Sequence, residues 1–200
     1  MSQPALPAPA GVPETPGPLQ ASTVSFEAVY EQYADLVWRN ARRLGVAEGA
    51  LDDIVQEVFV VAHRRLESIQ SREALRAWLF SILVRIVRNH LRGLRRKDPH
   101  QRSTSAIVDP ELVPASSRCN PGAVAELTDA ARILHALLLE LPEERREVFV
   151  LAEVEEMPVA EISKVLGCNP NTIQSRLRVA RKEFNEAVQR YRARDEWRLR

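Results

Sequence analysis

The chain has 200 residues, 45% of them hydrophobic, and a formal net charge of +1. That length holds one ordinary domain or two small ones, and the near-neutral balance excludes a protein basic all over, so any nucleic-acid contact must come from local patches. Cys119 and Cys168 form no CxxC, and His63, His90, His100 and His135 are scattered. This excludes a disulfide scaffold and a zinc-type ligand set, and no metal or cofactor is expected.

Residues 1–24, "MSQPALPAPAGVPETPGPLQASTV", are dominated at their start by Pro and Ala. They have no basic n-region and no apolar core, unlike a secretory signal, and they read as a disordered segment. From Ser25 the pattern becomes helical. "SFEAVYEQYADLVWRNARRLG" offers Ser25 as N-cap, an apolar stripe through Phe26, Val29, Tyr30, Tyr33, Val37, Ala41 and Leu44, and Gly45 as stop. "LDDIVQEVFVVAHRRLESI" is a second helix, with Leu51, Ile54, Val55, Val58, Val61 and Ala62 facing inward. "REALRAWLFSILVRIVRNHLRGLRRK" is a third, buried through Trp78, Leu79, Ile82, Ile86 and Leu91. No apolar run approaches the roughly 20 residues needed to span a bilayer, so no direct membrane insertion is expected.

Residues 98–127 are rich in Pro, Ser and Asn without a sustained period, the composition of a flexible linker between domains. The last third is helical again. Thr128 is the expected N-cap of a helix that stops before Pro142, and Pro142 opens the next. "PVAEISKVLG" is a short helix ended by Gly167. Asn169 and Pro170 then cap and start the final helix. The reading is all-α, with two small helical domains at 25–97 and 128–190 and a short tail at 191–200.

In the final helix Ile173, Leu177, Ala180, Phe184 and Val188 form a stripe that must pack on Ile162, Val165 and Leu166. Asn171, Thr172, Gln174, Ser175 and Arg178 then face outward. Two short helices joined by a Gly-containing turn, the second polar and basic at its start, read as a helix-turn-helix. Amide and hydroxyl groups suit base edges in a major groove, Arg178 suits guanine, and Arg176, Arg181 and Lys182 suit phosphates. In the third helix Arg85, Arg88, Arg92 and Arg96 recur at three and four residues, a positive stripe of the kind that binds phosphates by counterion release. The second helix carries the opposite feature. Asp53, Gln56, Glu57 and Val60 share a face that suits a partner with basic residues.

Taken in order, "LDDIVQEVFVVAHRR", "LRAWLFSI", a basic helix, and "LPEERREVFVLAEVEEMPVAEISKVLGCNPNTIQSRLRVARKEF" closely resemble an extracytoplasmic-function (ECF) sigma factor of bacterial RNA polymerase. The resemblance covers about 26–97 as sigma region 2 and 128–188 as sigma region 4. It implies that Asp53, Gln56 and Glu57 bind the β′ clamp helices of core RNA polymerase, with the β flap as a further contact. It implies that Arg85, Arg88, Asn89 and Arg92 guide the non-template strand at the −10 element, where stacking and positive charge hold a single strand. The helix-turn-helix would read the −35 element as duplex, with Gln174, Ser175 and Arg178 leading. Many relatives carry Asn at the position of Arg85, and Ala at that of Ser163. The resemblance further implies promoter DNA and an anti-sigma factor as partners, and a cytoplasmic location through RNA polymerase, with retention at the membrane by that factor. The rival reading is a free-standing helix-turn-helix regulator on duplex operator DNA, which leaves "DIVQEVF" and the Arg helix unexplained. An enzyme is disfavoured, because no Gly-rich phosphate loop or nucleophile–base pair is present.

Overall fold

The computed structural model describes residues 25–66, 74–97 and 128–198. The Pro-rich start, the linker with Cys119, and the last two residues lie outside the described residues. Within them the chain forms seven α-helices and no strand.

The first module contains α1 (Phe26–Arg43), α2 (Leu51–Arg65) and α3 (Leu75–Lys97). The Ser25 hydroxyl accepts the Ala28 amide at 3.2 Å, which satisfies one of the free donors at the start of α1. Gly45, at φ +104°, ends that helix, and Val46 N–H donates back to the Ala41 carbonyl at 3.1 Å. A short 3₁₀ turn, Glu48–Ala50, leads into α2, whose first turn places Asp52 and Asp53 at the positive end of the helix dipole. Val29, Val37, Ala41, Leu51, Ile54, Val58, Leu75, Leu79 and Leu83 fill the space between the three helices. Each fully buried Val or Leu contributes about 1.5–3 kcal/mol relative to exposure.

The second module contains α4 (Thr128–Glu140), α5 (Glu143–Phe149), a π-helical turn (Val150–Val154), α6 (Val159–Leu166) and α7 (Pro170–Arg198). Thr128 is already helical, one step inside the cap position expected for it. Pro142 occupies the N-cap of α5, with extended backbone at ψ 145°. The π turn was not legible in the sequence; its wider ring is closed by Glu155 N–H on the Val150 carbonyl at 3.0 Å. Glu156 follows with φ +53°, a left-handed conformation that glycine favours. The final helix continues through Arg198, so most of the expected tail at 191–200 is helical.

The two modules are docked on each other. Phe80, Leu83, Val84 and Val87 of α3 are buried along with Leu79, Ile82 and Ile86. The cause is a double contact, since α3 meets α1 and α2 on one side and α6 on the other. The single apolar stripe expected for α3 therefore understates its burial.

Candidate nucleic-acid and polymerase interfaces

Within the helix-turn-helix, Gly167 at φ +66° ends α6, and Cys168 N–H donates to the Ser163 carbonyl at 3.1 Å. The Ser163 hydroxyl closes the same turn by donating to the Cys168 carbonyl. The Asn169 side-chain oxygen accepts the Asn171 amide at 2.9 Å, and Pro170 takes the first helical position, where no amide donor is needed. Ile173, Leu177 and Ala180 turn inward with Ile162 and Leu166. Phe184 is half-buried and stacks on Phe149 at 4.5 Å. Ala187, next to the expected Val188, is the buried residue at the stripe's far end.

That packing leaves Asn171, Thr172, Gln174, Ser175 and Arg178 exposed on one outer face. Arg178 makes no ion pair among the described residues, so its guanidinium is available to a ligand. The three cations expected on phosphates are placed differently. Arg176 is half-buried, paired with Glu144 at 2.6 Å and 3.6 Å from the Cys168 sulfur. Arg181 pairs with Glu153 at 2.7 Å, and Lys182 lies 3.9 Å from Glu186. The exposed pairs of Arg181 and Lys182 are worth about 0–1 kcal/mol and are readily exchanged for a phosphate.

On α3, Arg85, Asn89 and Arg92 are exposed, and Arg85 and Arg92 form no ion pair among the described residues. Arg88 departs from the stripe. Its Nε and Nη2 donate to the two carboxylate oxygens of Glu147 at 2.7 and 2.6 Å, a fork across the two modules. The hydrogen bond to Glu147 raises the Arg88 pKa above its ordinary value, against the opposing effect of burial. On α2, Asp53, Gln56 and Glu57 are all exposed beside Val60, which is 42% exposed. The acidic, amide-bearing stripe is thus presented whole, with an apolar residue at its end. No group of three or more His, Cys, Asp or Glu among the described residues has a metal-binding arrangement.

The residues that sequence reasoning missed lie between the modules. Glu155 is 6% exposed. Its carboxylate accepts Asn40 Nδ2 at 2.9 Å, Arg43 Nη1 at 3.1 Å and Arg76 Nη2 at 2.7 Å, and Arg76 also donates to its backbone carbonyl. Burial lowers the Arg43 pKa, which Glu155 partly offsets. Arg146 reaches from α5 to the Leu44 carbonyl at 3.2 Å and to the Leu141 carbonyl at 3.1 Å. Burial likewise lowers its pKa. Glu147, Leu151 and Glu155 recur at four residues in "EVFVLAEVE", and acids on an inward stripe were the available sign.

Residues 29–97 match the family described as Sigma-70 region 2, and residues 131–184 match Sigma-70, region 4. The ECF RNA polymerase sigma-E factor of Escherichia coli K12 is 28% identical over 153 residues, covering 72% of this chain and 76% of that protein. The ECF RNA polymerase sigma-E factor of Haemophilus influenzae is 26% identical over 172 residues, covering 85% and 90%. Among solved structures, the sigma factor RpoE in complex with the anti-sigma factor NepR from Bartonella quintana shares the fold. Its TM-score is 0.63 at 22% identity, over 82% of this chain and 96% of that one. CnrH in complex with the cytosolic domain of CnrY gives a TM-score of 0.57 at 23% identity, over 82% and 87%.

Two helical modules in this order, the second ending in an exposed helix-turn-helix face, define a sigma-70-type factor that directs promoter-specific transcription initiation. The chain belongs to the extracytoplasmic-function sigma factors.

Proposed function

We propose that this sigma factor divides promoter recognition between its modules, 25–97 acting at the −10 element and 128–190 at the −35 element. The observation that carries this reading is the outward α7 face, where Asn171, Thr172, Gln174, Ser175 and Arg178 stand clear of every internal contact the module needs. Gln174, Ser175 and Arg178 read base edges, while Arg176, Arg181 and Lys182 exchange their carboxylate partners for phosphates. Arg85, Arg88, Asn89 and Arg92 guide the melted strand. Asp53, Gln56 and Glu57 dock on the β′ clamp helices of core polymerase, and the second module adds the β flap. An anti-sigma protein is the expected inhibitor, as the complexes of RpoE with NepR and of CnrH with CnrY suggest. The protein works in the cytoplasm, without a catalytic group of its own; bond making belongs to the polymerase. No described helix is long and apolar enough to cross a membrane, and the anti-sigma partner is the proposed means of retention there.

The α2 assignment is tested by Gln56→Ala with Glu57→Ala. Both side chains are exposed, so the fold is expected to persist, and affinity for core polymerase should fall by about tenfold, equivalent to ~1.4 kcal/mol. Unchanged affinity would remove these residues from the polymerase contact.

A further inference from the structure

The outward face of α7 does not end with the helix-turn-helix. Asn171, Ser175 and Arg178 begin a line that continues through Lys182, Asn185, Gln189 and Arg192, at alternating spacings of four and three residues. At 3.6 residues per turn these positions stay within an arc of about 100°. All of these side chains are exposed, and the line carries cations, amides and a hydroxyl but no acid. Glu186, at its margin, lies 3.9 Å from Lys182. A surface of hydrogen-bond donors without an apolar anchor suits phosphates better than the centre of a protein interface.

The far half of this line rests on a fixed part of the helix. Ala187 is buried, Val188 is half-buried, and Arg190 Nη2 donates to Glu140 at 2.6 Å, which ties α7 to α4 beside Gln189. The Asn185 and Gln189 amides and the Arg192 guanidinium make no side-chain hydrogen bond or ion pair among the described residues. Their donors are thus positioned before any ligand arrives, which lowers the ordering cost of binding.

Length decides what these donors meet. Arg192 lies about 21 Å beyond Arg178 along the helix axis, and about 32 Å beyond Asn171. A major groove is about 12 Å wide and about 8.5 Å deep, and it curves around the duplex. A straight helix that seats its first turns at base edges therefore leaves the groove before its end. The residues past Lys182 then lie over the phosphate ridge that bounds the groove. Amide and guanidinium donors at that ridge fix position and carry no sequence information.

We propose that Asn185, Gln189 and Arg192 form a phosphate clamp on the duplex beside the −35 element, outside the bases read by Gln174, Ser175 and Arg178. The proposal rests on the assignment of α7 to that duplex. Arg192 binds by displacing a counterion, whereas the two amides donate to phosphate oxygens without doing so. The clamp adds affinity for any sequence and fixes the angle at which the reading residues enter the groove.

The test uses the full chain and a fluorescein-labelled mixed-sequence duplex of about 30 base pairs, with anisotropy read from about 20 to about 200 mM KCl. Arg192→Ala should reduce the slope of log affinity against log salt by about 0.9, weakening binding roughly tenfold at about 50 mM and roughly threefold at about 200 mM. Arg192→Lys should restore the slope. Asn185→Ala with Gln189→Ala should weaken binding roughly fivefold at every salt concentration and keep the slope. Arg194→Ala removes the same charge about 160° around the helix and should leave the slope unchanged. All four side chains are exposed, so far-UV helicity is expected to persist. A slope unchanged by Arg192→Ala, or lowered equally by Arg194→Ala, would overturn the clamp. If Arg178→Ala still lowered it, the −35 assignment would stand, and an acidic protein surface would become the partner of the far stripe. Duplex binding that is absent, or insensitive to both Arg178→Ala and Arg192→Ala, would overturn the clamp and the assignment together.

Discussion

Replacing Gly45 with alanine should cost far more than a surface substitution, because the new methyl enters the space of a side chain from the other module. Gly45 has φ +104°, where an L-residue is strained by about 1–2 kcal/mol. An added Cβ would overlap Arg146 Nη1 and lie 3.4 Å from Arg146 Cζ and 3.5 Å from Leu139 Cδ2. The guanidinium must then leave the Leu44 carbonyl, and with it the bond that joins α5 to the end of α1. A hydrogen bond from a charged donor is worth about 1.5–3 kcal/mol, so the total is about 2.5–5 kcal/mol. The strain and the displacement separate in a double-mutant cycle with Arg146→Ala, followed by urea unfolding with far-UV detection. In the Arg146→Ala background the cost of Gly45→Ala should fall to about 1–2 kcal/mol, leaving a coupling of about 1.5–3 kcal/mol. Additivity within about 0.5 kcal/mol would refute the reasoning, since it would mean that Arg146 does not occupy the space beside Gly45.

Three further outcomes are expected. Glu156→Gly relieves a left-handed conformation at an exposed position, and after the entropic cost of glycine it should stabilise by about 0.5 kcal/mol; a lowered melting temperature would contradict this. His135 is held near a pKa of about 4 by burial and then by Arg42 and Arg146, below its ordinary value of 6.5. The unfolded chain therefore takes up the proton first, and stability is lost as pH falls from about 6.5 to about 4, with no further loss from this group below that. The unscreened magnitude is about 3 kcal/mol, and partial exposure reduces it to about 1–2. His135→Gln should flatten the stability–pH curve in that window, and an identical curve would exclude the histidine as its source. Arg178→Ala should lower transcription from a cognate promoter by roughly five- to 150-fold, as expected from the loss of a base contact of about 1–3 kcal/mol, while core binding persists. Loss of core binding in the same variant would count against its placement at the −35 element.

Most of the helices were legible because their signals are local. Ser25, Gly45, Gly167 and the Asn169-Pro170 pair act within one turn of themselves, and each stands at the helix end it marks. The outward polar face of α7 follows equally from the spacing of Ile173, Leu177 and Ala180. What escaped the sequence is long-range. Arg88 fits a solvated stripe by spacing alone, and only the structure shows it half-buried and forked onto Glu147, 59 residues away. The π turn at Val150–Val154 is similar, since its length looks like ordinary helix until Glu155 must reach Asn40 and Arg76. The sequence signals for α7 stop short of its end at Arg198 because residues 191–194 are exposed and continue no inward stripe, although a polar helix can extend from a packed one.

The most direct measurement is run-off transcription with the purified protein, a bacterial core RNA polymerase and a promoter library. The account predicts transcripts that appear only when this protein is added, starting downstream of sites that share two spaced elements. Duplex DNA binding without core binding and without such transcripts would contradict it, and would describe a free-standing helix-turn-helix regulator.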